Sequence, residues 1–89
     1  MDAEKKEKMF DAVKAACGIV GNYHDEVLRP IFDDVIGYLY DAGVSEKIMN
    51  SDRITGAVAR GVSDLYFEQS GLSDYFKERA IQLALTEGE

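Results

Sequence analysis

Residues 51–85 read SDRITGAVARGVSDLYFEQSGLSDYFKERAIQLAL, the part of the chain with the clearest helix signals. Within it a serine precedes an aspartate at Ser51-Asp52 and again at Ser73-Asp74, each ahead of a run with helical spacing. A serine side chain accepts a hydrogen bond from the free N–H groups at a helix start, and an acid in the first turn is favoured by the helix dipole. Each pair therefore predicts a helix beginning there. After the first pair, Ile54, Val58, Gly61, Val62 and Leu65 fall on one narrow stripe at the helical period of about 3.6 residues. Gly71 is placed to end that segment, and the helix after Ser73 reaches about Leu85. No catalytic motif lies in the stretch.

The same period holds along the whole chain, with no sustained strand-like alternation. A first helix is predicted from Ala3 to Cys17, with Met9, Phe10, Val13, Ala16 and Cys17 on one face. Gly18 would end it in a left-handed cap. Residues 18–24 form a connector. Pro30 governs the second helix, because inside a helix it loses a hydrogen bond and costs ~3 kcal/mol. The regular helix is therefore expected from Pro30 to Ala42, with Asp25 to Arg29 as a separate turn or kinked extension. Its buried face is Ile31, Phe32, Val35, Ile36 and Leu39; Asp33, Asp34, Gly37 and Asp41 lie opposite, and Gly43 closes it. Ser45 would cap a short turn from Glu46 to Met49. The expected architecture is all-α: one domain spanning residues 1–89, a compact bundle of four main helices with short loops. Thr86 to Glu89 reads as a frayed tail.

Composition narrows the function. At 89 residues with 46% hydrophobic content the chain can pack one small core, and that content points away from disorder. No apolar run approaches the roughly 18 residues of a membrane span, and the charged start MDAEKKEKMF has no apolar stretch behind it, so neither a span nor a secretory signal is read. One cysteine and one histidine make neither an intrachain disulfide nor a structural zinc site. No cofactor is implied. The net charge of −7 argues against sequence-reading DNA binding, since an acidic surface repels phosphates. The acids are concentrated from Asn22 to Glu46, where six stand against Arg29 alone.

Several residues fit a helical core poorly and are candidates for function. Phe67 lies on the far side of its helix from the Ile54–Leu65 stripe. Either the helix ends there and Phe67 turns back into its own core, or it is an aromatic anchor for a subunit or partner. Tyr66 flanks the stripe and can serve the core or that contact. In the last helix Phe76, Ala80, Leu83 and Ala84 share one face, whereas Ile81 and Leu85 project from another. That second face is either wedged against a further helix or packed on another chain. Gly61, four residues after Ala57, admits a close approach, from within the monomer or from a neighbour. Arg60, off the stripe, is a candidate for an intersubunit ion pair. Asp33, Asp34 and Asp41 form an acidic surface that is either simply solvated or a wall for DNA to slide past. No histidine or metal-ligand spacing accompanies these acids, so hydrolysis is not indicated. His24 reads as a loop residue, and Cys17 as a small buried apolar one.

The chain also resembles the bacteriophage head–tail connector family, small helical adaptors that assemble below the portal of tailed phages. The matching residues begin at Ala16-Cys17-Gly18-Ile19 and continue through Asp25 and the Ile31–Leu39 helix to Asp41-Ala42-Gly43-Val44. They are densest in Asn50-Ser51-Asp52, in Ala59-Arg60-Gly61-Val62-Ser63-Asp64-Leu65-Tyr66, and in Leu72-Ser73-Asp74-Tyr75-Phe76 with Arg79 and Gln82-Leu83-Ala84. The resemblance covers about Phe10 to Leu85. Such sequences often carry tryptophan after the Asp-Leu pair; this one has Tyr66, and its loop from Glu68 to Leu72 is short. Both departures bear on the contact surface around Phe67. The resemblance implies a non-enzymatic virion protein of the head–tail junction, assembled in the host cytoplasm. It implies a homo-oligomeric ring between the portal protein and head-closure or tail proteins, through which DNA passes unread. The alternative is a small acidic regulatory or inhibitory protein that mimics DNA charge or binds a host factor.

Overall fold

The structure, a computed structural model, describes residues 1–86. Five α-helices follow in order: α1 (Ala3–Ala16), α2 (Asp25–Asp41), the single turn α3 (Glu46–Met49), α4 (Thr55–Ser63) and α5 (Asp74–Ala84). A 3₁₀ turn, Asp52–Ile54, leads into α4, and a π-helical turn, Asp64–Glu68, extends it. Among the described residues there is no strand. The fold is the expected all-α bundle of four longer helices. Its extents, 37 × 30 × 18 Å, make it a slab about two helices thick.

The serines start helices as their spacing predicts. Ser45 Oγ accepts from the Ile48 N–H at 3.2 Å and Ser73 Oγ from the Phe76 N–H at 3.2 Å. Ser51 Oγ accepts from the Arg53 N–H at 3.3 Å, and the tighter 3₁₀ turn follows before α4 becomes regular. Helix ends follow glycine. At Gly18 (φ +74°) the Ile19 N–H reaches the Lys14 carbonyl and the Gly18 N–H that of Ala15. At Gly43 (φ +99°) the Val44 N–H reaches Leu39 and the Gly43 N–H reaches Tyr40. Both ends are six-to-one closures that need a left-handed residue, which glycine adopts without a Cβ clash.

Pro30 corrects one expectation. Helix α2 is continuous from Asp25 to Asp41, with Pro30 inside it, so residues 25–29 are not a separate turn. Tertiary contacts account for this. Lys14 pairs with Asp25 at 2.6 Å, and Arg29 grips Glu7 with two hydrogen bonds of 3.0 and 2.6 Å. Leu28 is buried among the core side chains. Burying one such side chain contributes about 1.5–3 kcal/mol. Together with the two clamps onto α1, this offsets the ~3 kcal/mol cost of proline. Pro30 and Glu26 both sit on the exposed side, where water can reach the carbonyl the proline leaves without a donor.

Helix α4 is central and packs on α1, α2 and α5. Its small residues are what admit three neighbours. A Cβ placed on Gly61 would lie 2.8 Å from both Phe76 Cε1 and Val35 Cγ1, so Gly61 serves close packing inside the monomer. Around it the core joins Phe10 and Val13 of α1, Phe32, Val35, Ile36 and Leu39 of α2, Val58 and Val62 of α4, and Phe76, Ala80 and Leu83 of α5. Ile31 is only half-buried, at the margin of this face. Cys17 is half-buried against the core, with its Sγ 3.6 Å from the Ala59 carbonyl. Thr86 is tied to the last turn of α5 through its N–H to Leu83 and its hydroxyl to Gln82. The rest of the expected frayed tail, residues 87–89, lies outside the described residues.

Candidate functional site

Helix α5 presents its unlike faces as the periodicity predicts. Phe76, Ala80 and Leu83 are buried, while Ile81 is 58% and Leu85 77% exposed. Among the described residues no second helix covers that outer face. These two side chains are an apolar strip that the monomer's own core does not use.

A different surface forms where the α1–α2 connector meets the π turn. The Gln69 N–H bonds back to the Asp64 carbonyl at 3.0 Å, five residues earlier, and Gln69 takes a left-handed φ of 55°. The segment therefore ends at Gln69 rather than at Gly71, which turns the chain again two residues later at φ +88°. The widened turn leaves Tyr66 half-buried against the core and Phe67 51% exposed. Phe67 thus does not turn back into the core. Four rings run in sequence across this surface: Tyr23 to His24 at 4.9 Å, His24 to Tyr66 at 6.1 Å, and Tyr66 to Phe67 at 4.9 Å between centroids. Tyr23 is 82% exposed, and Val20 and Val27 nearby are exposed as well. His24 is the residue preceding α2, with no side-chain capping bond.

Arg60 is occupied within the chain. Its Nε donates to Asp64 Oδ1 at 3.0 Å, and its guanidinium lies 5.0 Å from the Tyr75 ring centre. Asp64, like Tyr23, is a residue whose role sequence reasoning passed over. It is 3% exposed, and its other oxygen accepts both the N–H and the hydroxyl of Ser73, at 3.0 and 2.6 Å. Burial pushes its pKa up, but the hydrogen bonds from Ser73 and Arg60 outweigh burial and hold the carboxyl below its ordinary value. The available signal was Arg60 and Asp64 at i, i+4. The second partner depends on how residues 69–72 fold back, which spacing does not encode.

The acidic surface is partly neutralised. Asp33 pairs with Lys6 at 2.8 Å, while Asp34 and Asp41 are exposed beside it. An open cleft of about 350 Å³ lies between the start of α1 and the α3–α4 connection, lined by Met9, Ala12, Met49 and Thr55 with Lys5 and Lys8. Both ammoniums already face oxygens of the chain, Lys5 the Asn50 carbonyl at 3.4 Å and Lys8 Glu4 at 3.5 Å. Burial pushes the Cys17 thiol up, away from thiolate chemistry. Among the described residues no group of three or more His, Cys, Asp or Glu side chains could hold a metal, and no helix is long and apolar enough to cross a membrane. Comparison with known protein families, curated proteins and solved structures found no match in any of the three.

Proposed function

We propose that this chain is a structural assembly protein of a phage or prophage, a head–tail connector whose copies ring the DNA passage below the portal. The observation that carries the reading is the outer face of α5, where Ile81 and Leu85 stand exposed opposite a fully buried face. A slab of this size is marginal alone, and ring neighbours that cover such a strip would stabilise it by mass action. A head-to-tail ring needs two unlike surfaces on each copy, and the α5 strip would be one of them. An acidic lumen built from Asp33, Asp34 and Asp41 would repel phosphates and let DNA pass without sticking. Its partners would be the portal and head-closure or tail proteins, at the head–tail junction of the virion, and it would catalyse nothing.

Electron microscopy of the protein with its cognate portal tests this. A connector adds ring-shaped density to the portal; absence of that density across salt and protein concentration would sink the proposal. The second reading, a small acidic binder of a host factor, is favoured by the exposed carboxylates of Asp34 and Asp41. It predicts a monomer or dimer that binds a basic partner in a salt-sensitive way.

A further inference from the structure

We infer that the ladder Tyr23–His24–Tyr66–Phe67 docks a cationic, arginine-bearing segment of a partner protein. This goes beyond the connector reading and does not depend on it. Three observations carry it. First, the rings at either end of the ladder are exposed far more than packing requires, and Val20 and Val27, three residues before Tyr23 and three after His24, are exposed as well. Second, the charge next to the ladder along the chain is negative. Glu26, two residues after His24, and Glu68, directly after Phe67, are exposed, whereas Asp25 is paired with Lys14. Aromatic faces with carboxylates at their edge attract guanidinium groups, through the ring quadrupole and the charge together.

Third, the molecule already uses this chemistry twice for its own arginines. Arg29 lies 4.4 Å from the Phe10 ring centre and is held by Glu7; Arg60 lies 5.0 Å from the Tyr75 ring centre and is held by Asp64. The ladder repeats the pairing of ring and acid with no cation of the chain over it among the described residues. A second copy is a poor occupant. Of the ten lysines and arginines, five (Lys6, Lys8, Lys14, Arg29 and Arg60) are committed to the chain's own carboxylates, and the rest are scattered. A foreign segment dense in arginine fits better.

The test is an NMR titration of the full chain with an acetylated, amidated peptide of three Arg-Leu-Arg-Gly repeats, against the same peptide with glutamate for arginine. Saturable shifts are expected at the amides of residues 20–27 and 64–69, with the glutamate peptide silent. Phe67→Ala and Tyr23→Ala should each weaken binding by roughly tenfold, as loss of an aromatic anchor does. Both positions are exposed, so retained spectral dispersion shows the variants folded. Shifts centred on Asp33, Asp34 and Asp41, binding unchanged in both alanine variants, equal binding of the glutamate peptide, or no saturable shift at millimolar peptide would each overturn the inference.

Discussion

Asp64 and Ser73 form a relay between the end of the α4 segment and the start of α5. The Asp64 carboxylate accepts both the hydroxyl and the N–H of Ser73, and that same hydroxyl oxygen accepts the Phe76 N–H. One buried charge therefore fixes the cap of the next helix. Phe76, three residues on, is the ring packed against Gly61.

The relay predicts a pH-dependent stability. The Asp64 carboxyl is held below its unfolded-state value, which is about 3.9. Its contribution is thus fully present above about pH 5 and is lost as pH falls through the folded-state pKa. Asp64→Asn should lower stability at pH 7 by roughly 1–3 kcal/mol, chiefly through the Ser73 bonds, since Arg60 is half exposed and its attraction is screened. Urea denaturation of both proteins at pH 7 and pH 3 reads this. A gap that does not narrow at pH 3 means the charge of Asp64 is not what matters.

Two glycines of one helix should respond with opposite signs. Gly61→Ala forces a methyl against Phe76 and Val35, both buried, at a cost of about 1–3 kcal/mol that exceeds the ~1 kcal/mol gain in helix propensity. Gly56 has nothing within 4 Å of an added Cβ and is exposed, so Gly56→Ala should stabilise by about 0.5–1 kcal/mol. Thermal unfolding of the two variants is sufficient. Changes of the same sign would contradict the packing.

Pro30→Ala should stabilise the protein by roughly 2 kcal/mol. It restores a donor toward the Glu26 carbonyl inside a continuous helix, less the smaller entropy gained by the unfolded chain. Destabilisation in calorimetry would show that the proline is shaping α2 rather than merely being tolerated by it.

Ile81→Asp and Phe67→Asp should leave helical circular dichroism intact and unfolding within about 0.5 kcal/mol of the parent, because both side chains are exposed. In contrast, Phe76→Ala should cost about 3–5 kcal/mol. If the connector reading holds, Ile81→Asp also removes ring density on the portal. A variant that unfolds the monomer would return its residue to the core.

The local elements were legible in the order of residues alone. Serines before acids set the helix starts, Gly18 and Gly43 set two ends, and the apolar period chose which side of each helix is buried, because these signals act within a turn or two of chain. The same order also exposed the leftover residues: Ile81 and Leu85 stand outside the core, as their phasing requires, and so does Phe67. The remaining features depend on contacts between distant parts of the chain. Pro30 sits inside α2 because Lys14 and Glu7, distant in sequence, hold residues 25–29 in place. Asp64 is a buried hub because the loop after the π turn brings Ser73 to it. Tyr23 and Phe67 become one surface because two connectors meet, a juxtaposition over more than forty residues that no local pattern encodes.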